Sequence, residues 1–267
     1  MRKLLLALAA GALLAGCVYV NINDGTLSGD ESGVPLTRTY ALGGDYSELA
    51  VGQHFHVAMS DTVGEPTVTL DSAMHSRLVF RIEGKRLRIG LKGSHSVQTG
   101  RATVLLPHNG RLREVELGDT SHFTSALPLT ADRVSIDLSG ASSFSGDIRS
   151  SKHVEIETSG TSHCEGSIQE VGTLEIDLSG ASSVTLSGSV YRLEADLSGT
   201  SHLTAGDLDA THVESDLSGA SSAEVLCCES IKADASGTSH LTYGTVGGGC
   251  DPHLRINTSG ASSVSRR

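Results

Sequence analysis

Asp177-Leu178-Ser179-Gly180-Ala181-Ser182-Ser183 is one copy of a unit that recurs through the second half of the chain. Its glycine returns at Gly140, Gly160, Gly180, Gly199, Gly219, Gly237 and Gly260, at spacings of 20, 20, 19, 20, 18 and 23 residues. Glu116-Leu117-Gly118-Asp119-Thr120-Ser121-His122 is an earlier, imperfect copy. A period near twenty is that of a solenoid, in which each repeat makes one coil and buries its apolar face only by stacking on its neighbours.

Aligned on the glycine, the repeats show which side chains face inward. Six residues before it stand Val134, Val154, Leu174, Leu193, Val213, Ile231 and Leu254. Four before it are Ile136, Ile156, Ile176, Ala195, Ser215, Ala233 and Ile256, and two before it are Leu138, Thr158, Leu178, Leu197, Leu217, Ala235 and Thr258. Four after it come Phe144, Cys164, Val184, Leu203, Ala223, Leu241 and Val264. Apolar residues at every second position mean strands with one buried face. Coils about 4.8 Å apart pair as parallel strands. The glycine between two strands suits a corner that needs positive φ or close backbone approach. The expected fold is all-β: a right-handed parallel β-helix of coils of about twenty residues, the hand following the usual preference of parallel crossovers.

Upstream, residues 41–110 read as a β-rich region. Phe55-His56-Val57, Val68-Thr69-Leu70 and Val104-Leu105-Leu106 are candidate strands. Leu78 to Ile82, the turn Glu83-Gly84-Lys85 and Leu87 to Leu91 form an expected hairpin. No long segment carries a helical period. The repetitive β-helix is assigned to 111–267.

The first residues address the compartment. Arg2 and Lys3 precede an apolar run, Leu4 to Leu14, too short to span a bilayer and followed by Leu14-Ala15-Gly16-Cys17. This ending resembles a bacterial lipobox. The resemblance implies a signal peptide at 1–16, acylation of Cys17, and a lipidated tether at 17–40, which is rich in Asn, Asp, Gly, Ser and Thr. The chain is thus expected in the cell envelope, held to the outer membrane by its lipid and facing the periplasm or the cell surface.

Composition narrows the function classes. The formal charge is −11, which opposes nucleic acid and anionic lipid surfaces as partners. Aromatics are 3% and tryptophan is absent, as suits a thin, layered core.

Three columns of the repeat carry chemistry. Asp137, Glu157, Asp177, Asp196, Asp216 and Asp234 lie three residues before the glycine, on the outward parity, with Asn257 last. This acidic ladder is either a calcium stripe or a solvated face that blocks lateral aggregation. Calcium β-rolls repeat Gly and Asp about every nine residues, a pattern missing here, so the solvated face is preferred. Three after the glycine, His122, Ser143, His163, Ser183, His202, Ser222, His240 and Ser263 alternate, which makes the true repeat two coils. Histidines on every second coil stand about 9.6 Å apart and cannot share a zinc ion, so Thr-His and Ala-Ser coils are read as complementary neighbours. The serine two after the glycine is expected to close the turns.

Ser, His and Asp recur identically on coil after coil, whereas catalysis needs one serine beside one oriented base. Repetition argues for architecture, and no catalytic residue or cofactor is assigned. Cys164 takes an inward position. Cys227 and Cys250 each lie ten residues before a glycine, and a disulfide between them is expected, with Cys228 as the alternative partner.

The Asp-Leu-Ser-Gly-Ala-Ser repeats, the β-rich region and the lipobox together resemble the GIN head-domain family of putative auto-transporter adhesins, from about Tyr46 to Val264. Leu87-Arg88-Ile89-Gly90-Leu91 is weaker support. Where the family's Gly-Ile-Asn signature should fall, this chain reads Gly52-Gln53-His54-Phe55-His56-Val57. The resemblance implies a parallel β-helix in an envelope protein and supplies no catalytic residues. The leading expectation is a non-catalytic binding module for a glycan or protein. The alternatives are a structural periplasmic lipoprotein without a ligand, and a calcium-binding solenoid.

Overall fold

The computed structural model describes residues 34–93, 102–246 and 250–267. Cys17, the signal peptide and the Gly247-Gly248-Gly249 insertion lie outside them. Strands β1 (Pro35–Thr39), β2 (Glu48–Val51), β3 (His56–Ser60) and β4 (Thr67–Asp71) come first. A short 3-10 turn at Ser72–Arg77 follows. Then come β5 (Leu78–Glu83), β6 (Arg86–Leu91), β7 (Thr103–Pro107), β8 (Glu114–Leu117) and β9 (His122–Ser125). The repeats supply β10 (Leu129–Thr130), β11 (Arg133–Leu138), β12 (Ser143–Ser145), β13 (Ile148–Arg149) and β14 (His153–Thr158). Longer strands continue the stack: β15 (His163–Leu178), β16 (Ser183–Leu197), β17 (His202–Leu217) and β18 (Ser222–Ala235). β19 (His240–Thr245), β20 (His253–Thr258) and β21 (Ser263–Arg266) end it. All pair into one sheet wound as a β-solenoid of about eight turns.

The repeats stack in parallel and in register, so that Asp137 pairs with Glu157, Glu157 with Asp177, and Asp177 with Asp196. The four inward positions hold: Val134, Ile136, Leu138 and Phe144 are all buried, as are their counterparts through Ile231, Ala233 and Leu241. The last coil departs from this. Leu254 is 38% exposed and Ile256 37%, although both occupy inward positions, because β20 pairs with β18 and no described coil stacks on its other side. Ser215 is a polar member of the inward set whose hydroxyl finds no hydrogen-bond partner.

The N-terminal strands belong to the same stack but in an order that the repeat alignment does not show. β2 pairs in parallel with both β6 and β8, and β3 with both β7 and β9. The chain therefore lays down its second coil first. It then runs out through β4 and β5, returns as β6 and β7 on the far side of that coil, and crosses back to start β8. β4 lies antiparallel on β7 and β5 antiparallel on β6, so antiparallel strands cover the edges there. The hairpin at Glu83-Gly84-Lys85 forms as expected, with Gly84 at φ +68°. The far end of the segment expected to be a tether is itself a strand, since β1 pairs with β4.

The turn that closes each coil explains the Ser-Gly-x-Ser signature. The serine two after the glycine donates its hydroxyl to the carbonyl three residues back, as in Ser162 to Ser159 (2.6 Å) and Ser182 to Ser179 (2.9 Å). These serines are buried, so the bond offsets the cost of removing a hydroxyl from water. The glycines take φ between +71° and +76°. In the two coils without glycine there, Gln53 and Asp119 adopt positive φ instead, at 57° each. The Asp119 carboxylate accepts a hydrogen bond from the Gln53 backbone N–H at 2.9 Å.

One expected pairing is corrected. The disulfide joins Cys228, not Cys227, to Cys250, with Cα atoms 5.1 Å apart. Cys227 follows the alternation of β18 into the core, opposite Ala210 and Thr245, and is fully buried. Counting ten residues back from each glycine fails because the last interval is 23 residues long, and a one-residue offset turns a side chain to the other face. Cys164 is buried as expected; burial, with a smaller contribution from Glu165, pushes its thiol up to about 12, which keeps it protonated and inert.

Candidate functional site: an acidic groove along the stack

In-register stacking turns one outward residue per repeat into a continuous column. Asp137, Glu157, Asp177, Asp196, Asp216 and Asp234 stand in one line through β11, β14, β15, β16, β17 and β18. The serine just before each glycine (Ser159, Ser179, Ser198, Ser218 and Ser236) forms a second line beside it. Between them runs a groove of about 770 Å³, from Asp137 to Ser259. The long channel follows directly from strand register.

A second acidic column was not singled out in the sequence. Glu155, Glu175, Glu194 and Glu214 pair in register two residues upstream of the first column, on the same outward face. Its signal was present as the recurrent Glu-x-Asp or Glu-x-Glu, as in Glu194-Ala195-Asp196. Both columns end in neutralising groups. At one end Arg86 forms ion pairs with Glu48, Glu114 and Glu116. At the other, Lys232 pairs with Glu214, and the Asn257 amide donates to Asp234 at 2.6 Å. Asp137, Glu157, Asp177, Asp196 and Asp216 form no salt bridge with any described residue.

Three carboxylates of the first column, Asp137, Glu157 and Asp196, hold their protons more tightly than usual. Burial raises Asp196, and Asp216, Asp177, Glu214 and Glu194 raise it further. Burial likewise raises Glu157, helped by Glu155, Asp137 and Asp177, and raises Asp137, helped by Glu116. A carboxyl whose pKa is higher folded than unfolded stabilises the fold most below its unfolded value near 4, and that contribution is lost as pH rises through the folded value. Asp196→Asn is therefore expected to melt higher than the parent at pH 7. The gain should shrink on acidification and vanish below about pH 4, where both forms are neutral. Thermal melts across pH check it; a gain that persists at low pH would assign it to something other than charge.

The alternating His/Ser column is also one line, and its members bond rather than merely fit. The Nδ1 of His163 shares a hydrogen bond with the Ser183 hydroxyl of the next coil at 2.7 Å, and His240 with Ser263 at 2.6 Å. His122 and Ser143 make the same pair. In these three steps a hydroxyl coil follows each histidine coil and bonds to it, which suits a two-coil repeat; His202 and Ser222 stand in register without that bond. Among the described residues no group of three or more His, Cys, Asp or Glu side chains converges on a metal position. Nor is any described helix long and apolar enough to cross a membrane.

With solenoid and groove in place, comparison with known proteins is direct. The family model described as "Putative auto-transporter adhesin, head GIN domain" matches residues 45–245. The chain belongs to this family. The family is described by an adhesin role, not by an enzymatic one, and that description points to the cell surface or envelope. A search of curated proteins finds no match. Several crystal structures share the fold, among them the following three. One, from Parabacteroides distasonis, is described as a putative lipid binding protein; it is 19% identical with TM-score 0.78, over 88% of this chain and 97% of that one. Another, from Parabacteroides merdae, is described as a putative adhesin, at 17% identity and TM-score 0.76, over 88% and 97%. A second P. distasonis structure, also described as a putative adhesin, is 20% identical with TM-score 0.73, over 89% and 98%. At these identities the likeness establishes the fold.

Proposed function

We propose that this GIN-domain chain is a non-catalytic envelope lipoprotein, anchored through Cys17, whose solenoid offers an extended surface for binding a glycan or a protein. The groove from Asp137 to Ser259 carries the reading. It presents the same carboxylate and hydroxyl once per coil, a spacing suited to a ligand that is itself extended or repetitive. The neighbours' descriptions as adhesins and as a lipid binding protein support a binding role in general. Repetition of Ser, His and Asp without one distinguished, enclosed constellation supports a non-catalytic role.

The test has two arms. The soluble chain from residue 34 onward is screened on glycan arrays and by pull-down, beside a variant carrying Asp177→Asn, Asp196→Asn and Asp216→Asn. Binding that the variant loses supports the groove; binding that it keeps moves the site elsewhere. In cells, Cys17→Ser should release the protein from the membrane fraction. Labelling intact cells with a membrane-impermeant reagent should mark the solenoid if it meets extracellular ligands.

A further inference from the structure

The histidine column contains one place where the alternation fails. His56 of β3 stands in register with His122 of β9, so two imidazoles occupy the same outward position on adjacent coils. No other step of this column does so: beyond His122 the next member is Ser143, and on the other side of His56 it is Thr103. Repeat counting alone cannot find the pair, because β3 reaches β9 only through the order in which the N-terminal coils are laid down.

The two ring centroids lie 4.3 Å apart, with planes tilted by 47°. Two imidazoles bound cis to one ion, with metal–nitrogen bonds of about 2.0–2.1 Å, bring their centroids to about 4.5 Å. The observed separation lies within a few tenths of an ångström of that value, so the two rings are spaced as two ligands of one metal require. Tilted rings at this distance also differ from the stacked arrangement of the Phe123 and Phe144 rings, on the inside of the His122 coil and the next one, at 5.4 Å and 14°. From this geometry we propose that His56 and His122 form a binding site for a single divalent transition-metal ion, Cu²⁺ foremost, with water completing its coordination.

Imidazole suits Cu²⁺, Ni²⁺ and Zn²⁺ rather than calcium or magnesium, and Cu²⁺ heads the affinity order. Supporting groups are in place. The Nδ1 of His122 is held by the Ser143 hydroxyl, which leaves Nε2 for the metal and orients the ring, as an outer hydrogen bond commonly does in metal sites. The neighbouring His54 is held by the Thr120 hydroxyl, again through Nδ1. The His56 ring makes no hydrogen bond to another described residue.

The test uses the chain without a histidine tag and Cu²⁺ as the probe, read by calorimetry and by electron paramagnetic resonance. One ion per chain with two coupled ring nitrogens is expected. His56→Gln and His122→Gln should each weaken binding about a hundredfold, since the second imidazole binds as a tethered ligand, and should reduce the coupled nitrogens to one. His163→Gln, in the same column but two coils from His122, should leave the site unchanged. Metal-free melts confirm that each variant folds. If His122→Gln does not fold through loss of its Ser143 bond, His56→Gln carries the test alone. Parent-like Cu²⁺ affinity in His56→Gln, or equal loss in His163→Gln, would overturn the assignment.

Discussion

Gly160→Ala is expected to destabilise the solenoid by roughly 3–5 kcal/mol, the range of a strained backbone combined with an unrelieved clash. A methyl group built at Gly160 would lie 2.4 Å from the Gly140 carbonyl oxygen of the preceding coil, and φ there is +73°. The backbone cannot retreat, because that same carbonyl accepts the Thr161 N–H at 2.7 Å and Gly180 stacks on the other side with the same contact. Gly84→Ala separates the two contributions. It has nearly the same φ, +68°, but nothing within 4 Å, so it should cost only about 1 kcal/mol. Denaturant or thermal unfolding of the two variants checks the difference. If Gly160→Ala costs no more than Gly84→Ala, the close approach of stacked turns is not what retains glycine in the repeat.

The second large effect is at the disulfide. Cys228→Ser removes a bridge across 22 residues, worth about 3 kcal/mol by loop closure. Because each coil contacts only its neighbours, the loss should be felt locally. β20 and β21, already exposed at the open end of the stack, are expected to exchange amide protons faster, while β15 and β16 hardly change. Reduction of the parent protein should reproduce the variant. Cys227→Ala, by contrast, should retain the bridge. A Cys227→Ala protein that loses its disulfide on non-reducing mass mapping would contradict the observed pairing.

Much of this was legible in the residues. The period near twenty, the inward set from Val134 to Leu241, the turn serines and the first acidic column could be read directly, because in a solenoid each residue meets its counterpart one period away. Local order becomes tertiary order through translation alone. The second acidic column is equally legible in the repeated Glu-x-Asp, at the neighbouring outward position.

Where translation fails, the sequence by itself is silent. The order of the first coils depends on β6 and β7 docking beyond β2 and β3, a choice made by covering exposed sheet edges rather than by any repeat. That choice alone brings His56 against His122. The exposure of Leu254 and Ile256 arises because the last coil has a neighbour on one side only. The partner of Cys250 turned on one residue of register within an irregular interval, which sends Cys227 to the core and Cys228 to the surface. Sequence periodicity thus determined the coil, its core and its acidic flank. Tertiary structure decided the ends, since only there does a strand lack a period-related neighbour to specify its contacts.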